Sequence, residues 1–533
     1  MAVIAPQTDV ILLKVPLEID NTNQLTFSNI TAQYNYFNSL PKLTFDNFTY
    51  QRKDNTIRIP ALIDDIIEYN YVMYRNEGFS NKWFYAFIDK MEYLNDSVTA
   101  VSIITDVWQT WQFDLTYKST FVEREHVNND TVGAHTIPEG LECGEYVINS
   151  STTLKPDKNV KDYDNVAINW YFPIVFQTTE LASSFTAMNT YYDSEYNGVF
   201  SGLYYFAVTS LAGARWVISQ YAGKPDAIVA IFLAPKEFFD GARKYTPAGT
   251  SVHLYVPPDS STISNLLATT TITRPTKING YTPKNNKLFT YPYSYMYVSN
   301  NTGIDTEFRY EDFADATPKF FIGGALGQGC TTKLCPVSYK SYTANTEVFE
   351  YGIAGAKYPV CAWKSDYYTN WVTQNAANVG LSLATTALNV GTSAVTGNIL
   401  GATNSLLSGV GGVMAEMYKA QMHPDQARGN TNSSDLMIGW QRYFTVDCMS
   451  VRAEIAECID KFFSMFGYKV NTVKIPNITG RRNWNYVKTI GCYIEADIPQ
   501  EDLQSIKNMF NNGVTFWHNA STFADYTQNN DII

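Results

Sequence analysis

Charged residues are scarce in this chain of 533 residues, at 17% of the sequence against about 25% in typical globular proteins. Between Asp366 and Glu416 there are none, over the 49 residues from Tyr367 to Ala415. A solvated loop of that length is normally polar and charged, because its backbone must stay hydrated. The charge gap therefore predicts a segment that is held in a bilayer, a protein channel or an oligomer interior.

Cysteine and histidine are also few, with seven and five residues. The cysteines are odd in number and form no CxxC pair, so the sequence indicates neither a disulfide framework nor a zinc site. Cys330 and Cys335 are close enough in sequence to bridge, but we expect a reduced pair of buried thiols. We therefore expect no metal and no cofactor.

Enzyme motifs are missing as well, since the sequence has no HExxH, no GxSxG and no P-loop. The glycine-rich stretch Gly323–Gly329 lacks the GxGxxG order of a dinucleotide site. One cluster, EREH at Glu123–His126, has the residue types of an acid–base or metal site. On a strand, Glu123 and Glu125 would share one face without His126. We interpret the cluster as an exposed charged strand end or an ion pair between subunits, and we expect no catalytic residues.

The net charge of the chain is −12. Proteins that bind nucleic acid electrostatically need clustered lysine and arginine, which release counterions from the phosphates. The negative balance argues against that function. It is compatible with a conduit through which nucleic acid slides without binding.

Aromatic residues are abundant, at 15% of the sequence. Because they favour pleated, half-buried surfaces, we predict a mainly β fold with some helix, of the α+β class. A hairpin is predicted from the strand beginning at Trp83 to the strand Val98–Thr105, with its turn at Asn95-Asp96. Helices or helical turns are predicted at Asp106–Asp114, Leu211–Ala222, Pro235–Ala242, Ser450–Phe466 and Pro499–Phe510.

These patterns divide the chain into four parts. Residues 1–160 read as an N-terminal β-rich domain, and residues 165–350 as an inserted mixed or β-rich domain. Residues 367–430 contain the long uncharged loop, and residues 431–533 form a C-terminal part with two helices.

The uncharged segment has the length of two short membrane passes with a turn. Residues Val379–Met414, as one helix, would extend about 54 Å, whereas a bilayer core is about 30 Å thick; Gly397 or Gly401 could form the turn. Small residues recur every fourth position, a spacing that lets membrane helices approach closely. A glycine-rich linker or a buried helical hairpin remains an alternative, because period alone does not separate them. The residues expected to be membrane-active are Val379, Leu381, Leu383, Leu388, Val390, Val395, Gly397, Ile399, Leu400, Gly401, Leu406, Leu407, Val410, Val413 and Met414.

Several stretches together resemble one family. They are NYVMYRNEGFSNKWFYAFIDKMEYLN at Asn70–Asn95, TDVWQTWQFD and FVEREHV within Thr105–Val127, GYKVNTVKIP and RRNWNYVKTIG within Gly467–Gly491, and the later FNNGVTFWH and DYTQNNDII. In this order they are similar to the tail knob, or distal tail tube, proteins of the phi29-like podoviruses, small short-tailed phages of Gram-positive bacteria. The similarity is clear over residues 1–160 and 430–533.

The resemblance implies a homo-hexameric tube at the distal end of the virion tail, with the N- and C-terminal parts as its β-rich wall. Its implied partners are the other tail proteins of the proximal tube or lower collar, and genomic double-stranded DNA that passes through the lumen without specific binding. It also implies a hydrophobic loop that plugs the channel and later penetrates the host cytoplasmic membrane. The uncharged segment lies where that loop is expected. A receptor-binding, adhesin-like tail protein is the alternative, and a cell-wall hydrolase is disfavoured by the missing catalytic motifs.

Overall fold

The computed structural model describes residues 8–46, 55–156, 159–170, 172–192, 203–258, 264–324, 326, 332–340, 348–355, 360–363, 427–430 and 443–533. The fold is mainly β with some helix, as predicted. The chain forms two compact units: the first combines Met1–Gly144, Gly280–Pro292 and Arg452–Ile533, and the second combines Glu145–Asn279 and Tyr293–Val451.

The elements follow one another along the chain in three groups. The N-terminal group contains β1 (Thr8–Leu13), β2 (Asn23–Leu25), α1 (Ile30–Ser39), β3 (Lys42–Phe45), β4 (Thr56–Ile59), α2 (Ile63–Ile66), β5 (Tyr71–Asn76), β6 (Trp83–Asn95), β7 (Val98–Thr105), α3 (Val107–Trp111), β8 (Thr116–Tyr117) and β9 (Thr120–Glu125). The second unit contains β10 (Tyr146–Leu154), β11 (Ile174–Thr178), β12 (Tyr204–Val208), α4 (Leu211–Gln220), β13 (Ile228–Leu233), β14 (Arg243–Tyr245), β15 (Leu254–Val256), β16 (Ser264–Thr271), β17 (Ser294–Ser299), β18 (Asp305–Phe308), β19 (Lys319–Gly324), β20 (Thr332–Val337), β21 (Ile353–Ala354), β22 (Val360–Trp363), β23 (Ala427–Asn430) and β24 (Phe444–Val451). The C-terminal group contains α5 (Ala453–Phe466), β25 (Tyr468–Lys474), β26 (Trp484–Ile490), β27 (Ile494–Glu495), α6 (Gln500–Asn512) and β28 (Val514–Trp517).

A six-stranded antiparallel sheet in the first unit has the order β3-β1-β5-β6-β7-β4. Strand β1 is apolar at consecutive positions because both faces of this sheet are covered. Val10 and Leu12 pack into one core cluster, whereas Ile11 and Leu13 pack into another on the opposite face. The predicted hairpin is confirmed as β6 and β7, which pair in antiparallel register as far as Asn95 and Val98.

The second sheet of the first unit joins the two ends of the chain. Its order is β2-β28-β26-β9-β25, so N-terminal strand β9 lies between two C-terminal strands. Trp484 and Trp517 are fully buried in its core. The indole Nε1 of Trp108, also buried, donates to the carbonyl oxygen of Leu25 at 2.9 Å. These contacts fix the N- and C-terminal groups as one folding unit.

The second unit has a four-stranded sheet β10-β24-β17-β18, a seven-stranded sheet β14-β15-β12-β11-β13-β22-β23 and a four-stranded sheet β16-β19-β20-β21. One continuous apolar cluster connects these sheets. Strands β11, β12 and β13 arise from the apolar runs NWYFPIVF, LYYFAVTS and AIVAIFLAP. They lie side by side in the seven-stranded sheet, which explains why these runs are apolar at nearly every position.

The predicted helices are present with shifted ends. Asp106 caps α3 as expected, since its side chain accepts a hydrogen bond from the backbone nitrogen of Gln109. Helix α5 begins at Ala453 and not at Ser450, because the preceding residues belong to strand β24. Helix α6 has Pro499 and Gly513 as its caps. The stretch Pro235–Ala242 forms only a 3₁₀ turn, Lys236–Phe239.

Candidate functional site

The base of the uncharged segment is an antiparallel strand pair. Strand β22 ends at Trp363 and β23 begins at Ala427, and these two residues are register partners. Directly opposed residues in such a pair have Cα atoms about 4.5–5.5 Å apart. The two residues that flank positions 364–426, Trp363 and Ala427, are therefore neighbours in the fold.

This base is connected to the core of the second unit. Strand β22 pairs with β13, placing Ala362 opposite Ala230 and Cys361 opposite Ile231. Strand β13 is buried along most of its length. The two ends of the segment are thus held at one edge of a seven-stranded sheet, so a change in the segment does not require the sheet to change.

The fifteen residues predicted to be membrane-active, from Val379 to Met414, lie outside the described residues. Cys330, the other cysteine of the predicted pair, also lies outside them, while Cys335 itself is buried. None of the described helices is both long enough and apolar enough to cross a membrane. The part of this site that the structure describes is therefore the strand pair β22–β23 at the base of the segment.

The EREH cluster occupies a second polar region, in the first unit. Strand β26 pairs Lys488 with Arg124 and Thr489 with Val122, so Glu123 is an extra residue in β9. Such a bulge breaks the regular alternation of faces. The expectation that Glu123 and Glu125 share a face, at an exposed strand end, is wrong for this reason.

The two glutamates have different surroundings. Glu123 forms a partly exposed ion pair with Lys488, with 2.9 Å between Oε2 and Nζ. Glu125 is fully buried; its Oε1 pairs with Lys474 and its Oε2 accepts from the backbone nitrogen of Asn477 at 3.0 Å. A buried carboxylate needs such partners, since an unpaired one carries a large desolvation cost. Glu125 therefore ties β9 to the chain that follows β25.

His126 is buried with a defined tautomer. Its Nδ1 accepts a hydrogen bond from the backbone nitrogen of Tyr486 at 2.7 Å, so Nε2 carries the proton and donates to the carbonyl oxygen of Ser464 at 3.1 Å. Burial, and then the positive charge of Arg481, lower the pKa of His126 to about 3. The imidazole is neutral at physiological pH and acts as a structural connector rather than as a general base.

Glu139 joins two cations. Its fully buried side chain pairs through one oxygen with Arg124 and through the other with Lys287. The Lys287 ammonium lies 5.2 Å from the ring centroid of Tyr468. Burial lowers the pKa of Lys287, and the charge of Glu139 opposes that shift. The arrangement balances charge in the interior and fixes residues 280–292 to the first unit.

The described residues contain no group of three or more His, Cys, Asp or Glu side chains placed to hold a metal ion. The buried charges of the first unit instead form ion pairs and hydrogen bonds that connect distant parts of the chain. Sequence reasoning missed Asp460, Glu139 and Lys287, because no local signal separates a buried charged residue from a solvated one. The polar region thus has a structural role.

Comparison with known proteins gives consistent matches over the whole chain. A family model described as "Bacillus phage phi29, Tail knob protein gp9, C-terminal domain" matches residues 259–531, more than half of the chain. A second model, "Caudoviral major tail protein N-terminus", matches residues 6–116. The tail knob protein gp9 of Bacillus phage phi29 is 24% identical, and that of Bacillus phage B103 is 25% identical; in both cases 98% of each chain is covered.

A solved structure, the tail knob protein gp12 of bacteriophage C1, has a similar fold. It superimposes with a TM-score of 0.63 at 13% sequence identity, covering 99% of this chain and 100% of its own. The similarity in fold therefore extends over nearly the whole chain.

Proposed function

Because the chain belongs to the phi29 gp9 tail knob family, we propose that it forms the distal conduit of a short phage tail and that its uncharged segment first closes the conduit and then enters the host cytoplasmic membrane. Family membership makes the protein a structural component of a phage tail. The finer function rests on the strand pair β22–β23, which holds both ends of the segment at one place.

This strand pair supports release of the segment as a unit. Both ends are fixed by backbone hydrogen bonds to the same sheet, so the intervening residues can change surroundings without unfolding their base. A linker between domains would instead separate its two ends. The geometry favours a hairpin-like excursion over the alternative of an extended glycine-rich linker.

The composition of the segment suits two environments. Six copies would bring about 300 uncharged residues, 49 from each, into one lumen, where small and apolar side chains satisfy one another. In a bilayer, the backbone N–H and C=O groups of the segment must form hydrogen bonds with one another, and a helical hairpin satisfies them. Asn389, Asn398 and Asn404 then line the polar side while leucine and valine contact lipid. Marginal apolarity delays insertion until the segment is delivered.

Dye release from liposomes tests the membrane step. Replacing Val379–Met414 with a short Gly–Ser linker keeps β22 and β23 and should abolish release while leaving assembly unchanged. In the full chain, Leu407→Asp should weaken release, because Leu407 lies midway along the second pass and a carboxylate near the bilayer centre costs about 3 kcal/mol. Leu407→Asn is the matched control, with a side chain similar in shape to aspartate and no charge, and should retain most of the release.

Two results would count against the proposal. If the deletion variant released dye as well as the full chain, the segment would not be the membrane-active part. If Leu407→Asp and Leu407→Asn behaved alike and like the unmodified protein, residue 407 would not enter hydrocarbon.

A further inference from the structure

Four exposed apolar residues and the half-buried Phe121 form a strip on the first unit. Phe121 of β9 lies opposite Val473 of β25 on one side and Ile490 of β26 on the other. Val473 is 66% exposed and Ile490 is 58% exposed. Ile475 follows two residues after Val473, and Tyr493 lies near Lys118, whose backbone nitrogen donates to its carbonyl oxygen. We call Phe121, Val473, Ile475, Ile490 and Tyr493 the apolar strip.

Leaving such a row of apolar side chains in water costs about 25 cal/mol of free energy per Å² of exposed apolar surface, compared with burying that surface. Isolated apolar residues on a surface need no explanation, but contiguous ones mark interaction sites. The strip lies at the β25 end of the five-stranded sheet. It is therefore a candidate contact surface.

The first unit carries a second exposed apolar feature, at the end of the β6–β7 hairpin. Tyr93 is 51% exposed and Leu94 is 43% exposed. The strands remain paired to the end, since Asn95 is the register partner of Val98 and its side chain accepts from the backbone nitrogen of Ser97. We call residues 89–97 the hairpin tip; it presents its apolar side chains on an ordered backbone.

The two features have opposite charge. The hairpin tip carries Asp89, Glu92 and Asp96 against one lysine, a net charge of −2. Strands β9, β25 and β26 carry four cations and two carboxylates, and Arg124 is paired with the buried Glu139, so that the net charge with Glu139 included is +1. Complementary potentials favour encounter and fix the orientation of two surfaces more than they add affinity. The net charges of the hairpin tip and of the strands that carry the apolar strip are therefore opposite in sign and would attract each other when the apolar side chains meet.

We propose that the hairpin tip of one copy of this chain docks on the apolar strip of a neighbouring copy. A ring of identical subunits needs a heterologous contact, in which two different surfaces of the same chain meet, and the strip and the tip are such a pair. The inference rests on the proposed conduit and identifies the surfaces that close it. If the strip bound a protein of another sequence, the complementary surface would lie on that protein, and this chain would not need to carry it.

The contact is made by side chains and not by strand addition. Strand β25 is bulged between Lys469 and Thr472, and Asn471 there has a φ of 45°. Bulges on an end strand disturb the row of backbone groups that another strand would pair with. Val473 and Ile490 therefore provide the main contact, with Leu94 packing against them.

Cysteine cross-linking of the full chain tests the contact. In a Cys458→Ser background, which removes an exposed thiol, Leu94→Cys combined with Val473→Cys should give covalent oligomers with a short bis-maleimide. Each single variant should give far less. The pair Leu94→Cys and Ile148→Cys is the matched control, because Ile148 is a strand residue of the second unit that is 57% exposed.

Sedimentation provides the second readout. Val473→Asp should shift the ring towards monomer by at least about tenfold in concentration, since a buried unpaired charge costs more than about 1.4 kcal/mol, whereas Ile148→Asp should not. A ring that persists in Val473→Asp, with no cross-link between positions 94 and 473, would overturn this interface and leave the conduit function standing. A wild-type protein that stays monomeric at every concentration would overturn both.

Discussion

The Asp460 carboxylate accepts two hydrogen bonds from Asn285 through one oxygen: Oδ1 lies 3.0 Å from the backbone nitrogen of Asn285 and 2.9 Å from its Nδ2. The other oxygen accepts from the hydroxyl of Tyr281 and the backbone nitrogen of Lys284, both at 2.8 Å. Asp460 is 1% exposed. Helix α5 thereby holds residues 280–292, which lie in sequence between the two segments of the second unit.

Asp460→Asn should destabilise the protein by about 3 kcal/mol, because the amide replaces an acceptor with a donor that faces buried donors. Glu457→Gln on the same helix is the control, since Glu457 forms only an exposed pair with Lys461, and should change stability by less than about 0.5 kcal/mol. Urea unfolding followed by tryptophan fluorescence measures both. Equal midpoints for the two variants would contradict the role assigned to Asp460.

Gly467 should not tolerate a side chain. It ends α5 with φ 64° and ψ −154°, and a Cβ there would lie 2.2 Å from the carbonyl oxygen of Glu125. Gly467→Ala should cost at least about 3 kcal/mol, from backbone strain and displacement of β9. Gly491→Ala is the control: it has φ 68° but open space around the added atom, and should cost about 1 kcal/mol. Thermal unfolding of the two variants separates the clash from the strain.

His126 should make the folded protein sensitive to acid. Burial lowers the pKa of His126 to about 3 in the fold, against about 6.5 for a solvated histidine, so the unfolded chain binds the proton more tightly. The contribution of the neutral His126 to the free energy of unfolding is fully present above pH 6.5. It is lost as the pH falls towards 3, at up to about 1.4 kcal/mol per pH unit.

Chemical unfolding at several pH values should show this loss as a difference between the wild type and His126→Gln. The advantage of the wild type should shrink as the pH is lowered, because glutamine does not titrate. His253→Gln, which alters an exposed histidine, should follow the wild type at every pH. A constant difference between wild type and His126→Gln would contradict the assignment of a neutral buried imidazole.

The assembled protein should not retain double-stranded DNA. Its net charge of −12 predicts a neutral or negative lumen, and counterion release requires lysine and arginine contacts to phosphate. Fluorescence anisotropy with a duplex should detect no binding at about 10 μM protein and ~50 mM salt. Affinity that falls steeply as salt is raised would indicate a continuous basic track and would contradict a non-binding conduit.

Local signals predicted the local structure well. The β6–β7 hairpin and helix α6 were both accessible from sequence, because apolar patterning, Pro499 and Gly513 act within a few residues. The predicted ends of helices were less accurate where a neighbouring strand contained the same residues. Ser450, for example, continues strand β24 by pairing with Val147 and Ser294, although its sequence also suits a helix start.

Long-range polar contacts could not be predicted. Asp460 reads as a residue on the solvated side of α5, and its burial follows from hydrogen bonds to residues about 175 positions away. Glu125 reads as a surface charge until the bulge at Glu123 turns it inward. The pairing of Trp363 with Ala427 depends on strands separated by the whole uncharged segment. In each case the determining partner is distant in sequence.

We propose that the uncharged segment, fixed at β22 and β23, closes the lumen of a ring. End-on electron microscopy of assembled particles tests it most directly, by comparing the full chain with the variant in which Val379–Met414 is replaced by a Gly–Ser linker. We expect density across the lumen of the full chain and, in the variant, an open lumen wider than the roughly 20 Å that duplex DNA requires. Identical lumens in the two proteins, both open or both closed, would contradict it.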